Sequence, residues 1–259
     1  EADGQLLELP AAARPVTQAE SGPYLGFYRL GSRVVFAYRI GQTEYLDAPW
    51  VERGQFVREV APRSEHSLAK QLQLPAAQWP QTFTTPITLG SGKPYAIDTI
   101  ALPVDNPWKA PVYCGDHDFL PDGSALLCTM QGDVWHVSGF SPEPAGKTWP
   151  TVATWRRYAA GLHHALGLKV DRDGIFVLGR DQITRLHDTN HDGEADFYEC
   201  FSNKMLTNGG HDFICGLAAD SQGRFYTASG NQGLLRISGD GNEVDVLATG
   251  FRNPDGVTV

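Results

Sequence analysis

Three turn glycines, Gly123, Gly174 and Gly223, recur about 50 residues apart, and each sits in a short Asp-bearing turn between two apolar, strand-forming runs. The three phrases read DHDFLPDGSALLCTMQGDVWHV, LGLKVDRDGIFVLGRDQITRLHD and CGLAADSQGRFYTASGNQGLLRIS. An interval of about 50 residues is the length of one four-stranded propeller blade. The spacing therefore predicts an all-β chain containing a partial β-propeller of about three blades. The final residues, GFRNPDGVTV, restart the phrase, with Gly256-Val257-Thr258-Val259 in the place of Gly167-Leu168-Lys169-Val170, and so predict the start of a fourth blade. An open ring exposes strand edges and half a core. The expectation is a ring completed by the rest of a longer polypeptide or by a second chain; a small open array is the alternative. A stacked sandwich with irregularly spaced hairpins fits the turns but not the near-equal interval.

Upstream, the run YLGFYRLGSRVVFAYRIGQTEYL from Tyr24 alternates apolar and polar residues and is punctuated at Gly31-Ser32 and Gly41-Gln42, the pattern of a hairpin meander. Residues 1–62 thus read as a β-rich segment, part of a β-sandwich. Residues 63–95 carry Pro75, Pro80, Pro86 and Pro94 among Ser, Gln and Gly, as a linker or crossing segment would. Residues 96–259 hold the blades. Helical periodicity is confined to Glu65–Leu72, about two turns.

Charge and apolar patterning exclude several classes of partner. Twenty-one Lys and Arg against thirty Asp and Glu leave a net charge of −9 with no basic stripe, which makes nucleic acid and anionic membrane surfaces poor partners. No run of about 18 apolar residues offers a membrane span. The four cysteines, Cys114, Cys128, Cys200 and Cys215, have neither C-x-x-C nor haem-attachment spacing, so they form two disulfides or remain buried thiols. The even count, with many Trp and Tyr, favours an oxidising compartment, periplasmic or extracellular.

The sharpest chemical motif runs from Asp188 to Glu199. Oxygen donors Asp188, Asn190, Asp192, Asp196 and Glu199 fall at positions 1, 3, 5, 9 and 12, with Gly193 at position 6 and Glu194 after it. Calcium needs six to eight oxygens on a tightly curved backbone, and this is its loop spacing. A strand-flanked structural calcium loop is one reading; an acidic hairpin without metal is the other. His117, His163, His164 and His211 each sit just before the inner strand of a blade, positions that gather at one mouth of a propeller channel. Imidazole there can take a proton from an alcohol or bind a metal, and equally can be a hydrogen-bonded structural group. Arg252-Asn253 can direct a planar donor at a carboxylate-bearing ligand, or cap loop carbonyls. No nucleophile elbow, P-loop or dinucleotide fingerprint occurs, and Arg180-Asp181-Gln182 reads as a turn within a blade.

The stretch from Gly92 to Val259, with DNPWKAPVYCGDHDFLPDG, GDVWHVSG, LGRDQITRLHDTNHDGEADFYE and GFRNPDG, resembles the propeller of large secreted bacterial proteins known as putative membrane-bound dehydrogenases. In that family the propeller stands before helical and c-type cytochrome domains, and a β-rich domain often precedes it. A more distant likeness is to the soluble pyrroloquinoline quinone (PQQ) sugar dehydrogenases, six-bladed propellers with the quinone at the channel mouth. His211-Asp-Phe-Ile-Cys-Gly216-Leu217 resembles the strand opening that carries that family's catalytic base, and GFRNPDG resembles its quinone-contacting phrase. The resemblance implies His211 as base, Arg252 and Asn253 as quinone contacts, and quinone binding by the complete six-bladed ring; His163 and His164, read from their positions at the same mouth, are the further candidates for holding a cofactor.

These readings make the leading expectation a propeller oxidoreductase that oxidises a sugar or alcohol hydroxyl and passes electrons to a c-type cytochrome, with PQQ and calcium as cofactors. A non-catalytic propeller that binds carbohydrate or protein, or scaffolds redox domains, is the alternative, since the fold alone gives no preference. A lactonase-like hydrolase with a channel calcium is a third.

Overall fold

A computed structural model describes residues 22–63, 76–141, 149–171, 174–206 and 212–259. Among them every regular element is a β-strand, and all pairings are antiparallel. His211 and the helical candidate Glu65–Leu72 lie outside the described residues.

The first four strands, β1 (Tyr24–Leu30), β2 (Arg33–Ile40), β3 (Thr43–Glu52) and β4 (Gln55–Pro62), form the expected meander. Gly31 and Gly41 open their two-residue turns at φ 61° and 59°, and Arg53-Gly54 adopts positive φ at both positions. Such turns match the strands' right-handed twist. Two strands follow: β5 (Thr82–Thr88) and β6 (Thr99–Ile100). The three repeated phrases then give three four-stranded units. The first is β7 (Cys114–Phe119), β8 (Ala125–Thr129), β9 (Val134–Ser138) and β10 (Val152–Ala159). The second is β11 (Gly167–Asp171), β12 (Gly174–Leu178), β13 (Ile183–His187) and β14 (Phe197–Ser202). The third is β15 (Ile214–Ala219), β16 (Phe225–Ser229), β17 (Gly233–Ile237) and β18 (Val244–Ala248).

Two pairings join segments that the sequence reads apart. The meander, read as part of a β-sandwich, continues the second unit: β1 pairs with β14, so β11 to β14 and β1 to β4 make one eight-stranded sheet. Phe27 stacks on Tyr198 at 4.6 Å and Tyr28 on Phe197 at 4.4 Å across this seam. Gly26, at φ 133°, permits the approach, because a Cβ there would lie 2.2 Å from the carbonyl oxygen of Tyr198. The Pro-rich stretch 63–95 is likewise not only a linker. Its β5 pairs with β10, extending the first unit into a six-stranded sheet, and Pro86 sits within the strand. Pro86 donates nothing, but its carbonyl accepts from the amide of Ala101 at 3.0 Å.

The first strands of the units, β7, β11 and β15, lie side by side. Side chains and single backbone contacts join them. Asp116 accepts from the amide of Leu168 at 3.0 Å, and Asp118 accepts from the amide of Val170 and from Lys169 Nζ at 2.9 and 2.6 Å. The Gly216 amide donates to the Leu166 carbonyl at 2.9 Å. Apolar layers fill the spaces between units. Leu126, Cys128, Leu168 and Val177 are buried between the first and second, and Phe176, Ile183, Phe225 and Leu235 between the second and third. Each such large apolar side chain contributes about 1.5–3 kcal/mol by leaving water. Trp135 and Trp155 belong to the core of the first sheet, whereas Trp149 is half exposed. No helix of the described residues is long and apolar enough to cross a membrane.

One buried ion pair anchors the first unit. Arg157 donates to Asp133 Oδ1 through Nη2 at 2.5 Å, and the Asp133 side chain is only 5% exposed. Truncating one member of such a pair strands the other charge. Asp133→Ala is expected to lower unfolding stability by about 3–5 kcal/mol, read from urea denaturation; a loss within error of zero would show that water reaches Arg157.

Candidate functional site

The segments that lead into β11 and β15 and the turns after β8, β12 and β16 meet at one end of the three units, here called the mouth. A cleft of about 360 Å³ opens there, lined by Met130, Leu166, Phe213, Cys215, Asn253 and Asp255. The structure thus brings Asn253 together with Phe213 and Cys215. His163 and His164 lie beside this group, their rings 4.5 Å apart, with the His164 ring 5.8 Å from that of Phe213. The Arg180 guanidinium stands 5.2 Å from the same ring. The Arg180 amide also donates to the His163 carbonyl at 2.9 Å, so the β12–β13 turn fixes the two histidines' backbone. Arg252 is exposed.

Two buried polar atoms at this mouth lack a hydrogen-bond partner: His164 Nδ1 and Asp212 Oδ2. Asp212 is 7% exposed, and its other oxygen accepts from the amides of Gly230 and Asn231 at 2.8 and 3.2 Å. Buried polar atoms are normally paired, so each orphan asks for a partner such as a water, an ion or a ligand, or for a source of strain. Burial holds the His164 imidazole below its usual range, and the neighbouring His163 and Arg180 push in the same direction. His164 is therefore a neutral group near pH 7. Burial raises the Cys215 thiol, aided by Asp255 and Asp212, which keeps it protonated and weakly nucleophilic.

His117 is a correction. It lies within β7 rather than before it, and its ring packs edge-on against Phe119 at 5.8 Å. It lines a separate groove of about 330 Å³ along the first strands, with Asp116, Asp118, Lys169 and Asp255. Nothing in the sequence pattern marks Phe213, Met130 or Asp212 as site residues, it reads Cys215 only as a disulfide partner or buried thiol, and it reads Arg180 as part of a turn. A positional signal existed: Met130, Arg180 and Asn231 all follow the second strand of a unit, so they belong to one ring of turns.

The acidic loop joins β13 to β14. Asp188 accepts from the amides of Asp192 and Gly193 at 3.1 and 2.8 Å, and Asp196 from those of Thr189 and Asn190 at 2.8 and 3.3 Å. Asn190 Oδ1 accepts from the Asp192 amide at 3.0 Å. These bonds curl the loop back on its own acidic side chains. Two expected ligands turn elsewhere. Glu194 accepts from the amide of Trp79 at 2.8 Å, and Glu199, on β14, meets His187 Nε2 at 2.6 Å. Among the described residues no group of three His, Cys, Asp or Glu is disposed to hold a metal. The four cysteines are free thiols, Cys128 buried and Cys114 exposed.

No protein-family model matches the chain, and no curated protein matches it in sequence.

Burial raises the Glu194 carboxyl above its ordinary value. A raised carboxyl binds its proton more tightly in the folded state, so its contribution is complete below the ordinary glutamate range and is lost as pH rises through the raised value. Glu194→Gln, which keeps an acceptor for Trp79, should match the wild type at pH 4 and be equal or more stable at pH 7.5. Glu194→Ala leaves the Trp79 amide bare and should cost about 1–3 kcal/mol. Denaturation at both pH values checks the pair; a Gln variant weaker at pH 7.5 would mean that the carboxylate is needed charged.

Proposed function

We propose that the three units are a sector of a β-propeller oxidoreductase whose mouth cleft binds a quinone cofactor of the PQQ class and a sugar or alcohol. The observation that carries this reading is the pair of orphaned buried atoms, His164 Nδ1 and Asp212 Oδ2, at the rim of a cleft that Asn253 lines. A tricyclic quinone offers carbonyl and carboxylate oxygens on a flat apolar body. The residues present suit it: Phe213 and Leu166 for the plane, the Asn253 amide and Arg180 for the oxygens, with Arg252 exposed nearby. When bound, such a quinone takes up the hydride equivalent from the substrate carbon.

The chain's own part is to bind, orient and accept a proton. His211 is the proposed base for the substrate hydroxyl, carried by the likeness of its strand opening. Asp212, its neighbour in sequence, is anchored by the Gly230 and Asn231 amides, which would fix the backbone behind that base. The proposal extends to a calcium ion held by the oxygens of Asp188, Asn190, Asp192 and Asp196, as a structural brace far from the proton transfer. It also extends to completion of the ring by further polypeptide, a c-type cytochrome as electron acceptor, and a periplasmic or extracellular setting.

The test is quinone-dependent dye reduction by the full-length polypeptide, reconstituted with PQQ and calcium, against a panel of aldoses and alcohols. Turnover is expected. His211→Ala should abolish it while leaving quinone affinity within a few fold, and Asn253→Ala should weaken quinone binding by roughly tenfold, the loss of one good hydrogen bond to a charged group. Absence of quinone binding to the wild type would remove the oxidoreductase reading. Calcium at 100 times its dissociation constant should add about 2.7 kcal/mol of stability; no shift in melting temperature would remove the brace.

A further inference from the structure

Beyond the last paired residues of β1 and β14 the two strands part, and the gap is closed from the third unit by the turn between β17 and β18. A pocket of about 290 Å³ remains, sharing no lining residue with the mouth cleft, lined by Tyr24, Cys200, Ser202, Asn203 and Lys204, with Asp240 to Asn242 on its far wall. Its size lies at the lower end of the roughly 300–1,000 Å³ of small-molecule sites, room for one ring rather than an extended chain.

Two observations point to an occupant. Ser202 is 3% exposed, and its buried hydroxyl has no hydrogen-bond partner. A buried hydroxyl left unpaired costs free energy that a bound polar ligand would recover. The second observation is the state of the surrounding groups. The charges that line the pocket balance, Arg39 and Lys204 against Glu199 and Asp240, and three of the four are already engaged. Arg39 meets Glu44 at 3.0 Å, Glu199 meets His187 at 2.6 Å, and Asp240 accepts from Ser238 Oγ and Asn242 Nδ2 at 2.5 and 2.9 Å.

The groups left over are neutral or singly cationic: the Ser202, Tyr24 and Cys200 side chains, the Asn203 amide and the Lys204 ammonium. Burial holds the Tyr24 phenol at about 12 and the Cys200 thiol at about 11, with Asp181 close enough to reinforce both, so each remains an uncharged donor. No free carboxylate selects a cation. With Glu199, Asp240 and Asp181 nearby, no net positive field selects an anion. Dispersed hydroxyl, amide and ammonium donors beside aromatic carbons suit a ligand that carries many hydroxyls and no charge.

We propose that this pocket is a binding site for a neutral sugar ring, held by the Ser202 and Tyr24 hydroxyls, the Asn203 amide and Lys204. It is separate from the mouth and does not rest on the oxidoreductase reading.

The test uses the full chain, with calorimetry and saturation-transfer NMR against methyl glucoside, methyl galactoside and xylose, and with glucuronate and glucosamine as charged counterparts. At least one neutral sugar should bind, more tightly than its charged counterpart. Ser202→Ala, Tyr24→Phe and Lys204→Ala should each weaken that binding roughly 2- to 10-fold, the value of one hydrogen bond. Ser202→Ala should keep or raise the melting temperature, since it removes an unpaired buried hydroxyl, and so separates a ligand role from a folding role. The site is overturned if no neutral sugar binds, if a charged counterpart binds more tightly, or if Ser202→Ala and Lys204→Ala both bind like the wild type.

Discussion

Trp79 is held between two guanidinium groups, Arg29 at 4.7 Å and Arg157 at 4.6 Å from its ring, and that contact joins three parts of the molecule. Each partner belongs to a different body. Arg29 is on β1 of the meander, and Arg157 is on β10 of the first unit, where Asp133 balances its charge. The Trp79 amide reaches Glu194 in the β13–β14 loop. Arg29 also donates to the Ala160 carbonyl at 2.9 Å, and the Ala160 amide donates to the Tyr198 hydroxyl at 3.1 Å. One buried indole thus ties the meander, the first unit and the acidic loop of the second, through cation–π and hydrogen-bond contacts that strengthen when water is excluded.

That arrangement explains why the acidic loop uses its side chains as it does. Glu194 follows the turn at Gly193 and lies buried against Trp79, so its carboxylate fastens the Trp79 amide. Glu199 is drawn to His187 because both side chains project from neighbouring strands, β14 and β13, on one face. The His187 contact lowers the Glu199 carboxyl, whereas burial raises Glu194 and Asp196. The same short segment therefore carries stability terms of opposite sign with pH. Those of Glu194 and Asp196 fade as pH rises through their raised values, and that of Glu199 fades as pH falls through its lowered one.

What could be read from the sequence was local and periodic. The glycine interval marked three units, and each proves to be four antiparallel strands, because a turn at fixed spacing and period-2 alternation are local constraints on the backbone. The meander's hairpins fell at Gly31 and Gly41 for the same reason. The partner of β1 was not legible: alternation says which face is buried, not which strand takes an open edge, and the seam with β14 rests on Gly26 and on two aromatic stacks between residues about 170 apart in sequence. Proline density hid β5, since Pro86 is compatible with a strand at a position where its missing donor is not needed. At the mouth, Asn253, His163 and His164 were legible as residue types near strand starts. Phe213, Arg180 and Asp212 were not, because their meeting depends on how neighbouring units stack.

The cavities follow from how the units are joined. Within a unit the strands are zipped by full ladders; between units, β7, β11 and β15 are joined by Asp116, Asp118 and single backbone bonds. A ladder leaves no room, but a seam made of side chains leaves gaps wherever the twist of adjoining sheets diverges. The mouth cleft and the groove past His117 are such gaps along the first strands, and the pocket at Ser202 opens where the β1–β14 ladder ends. Polar atoms also go unpaired beside these cavities, as at Asp212, His164 and Ser202. Binding sites in this chain are therefore to be sought at its joints, where the backbone's own hydrogen bonding runs out and a ligand can supply what the fold leaves unmade.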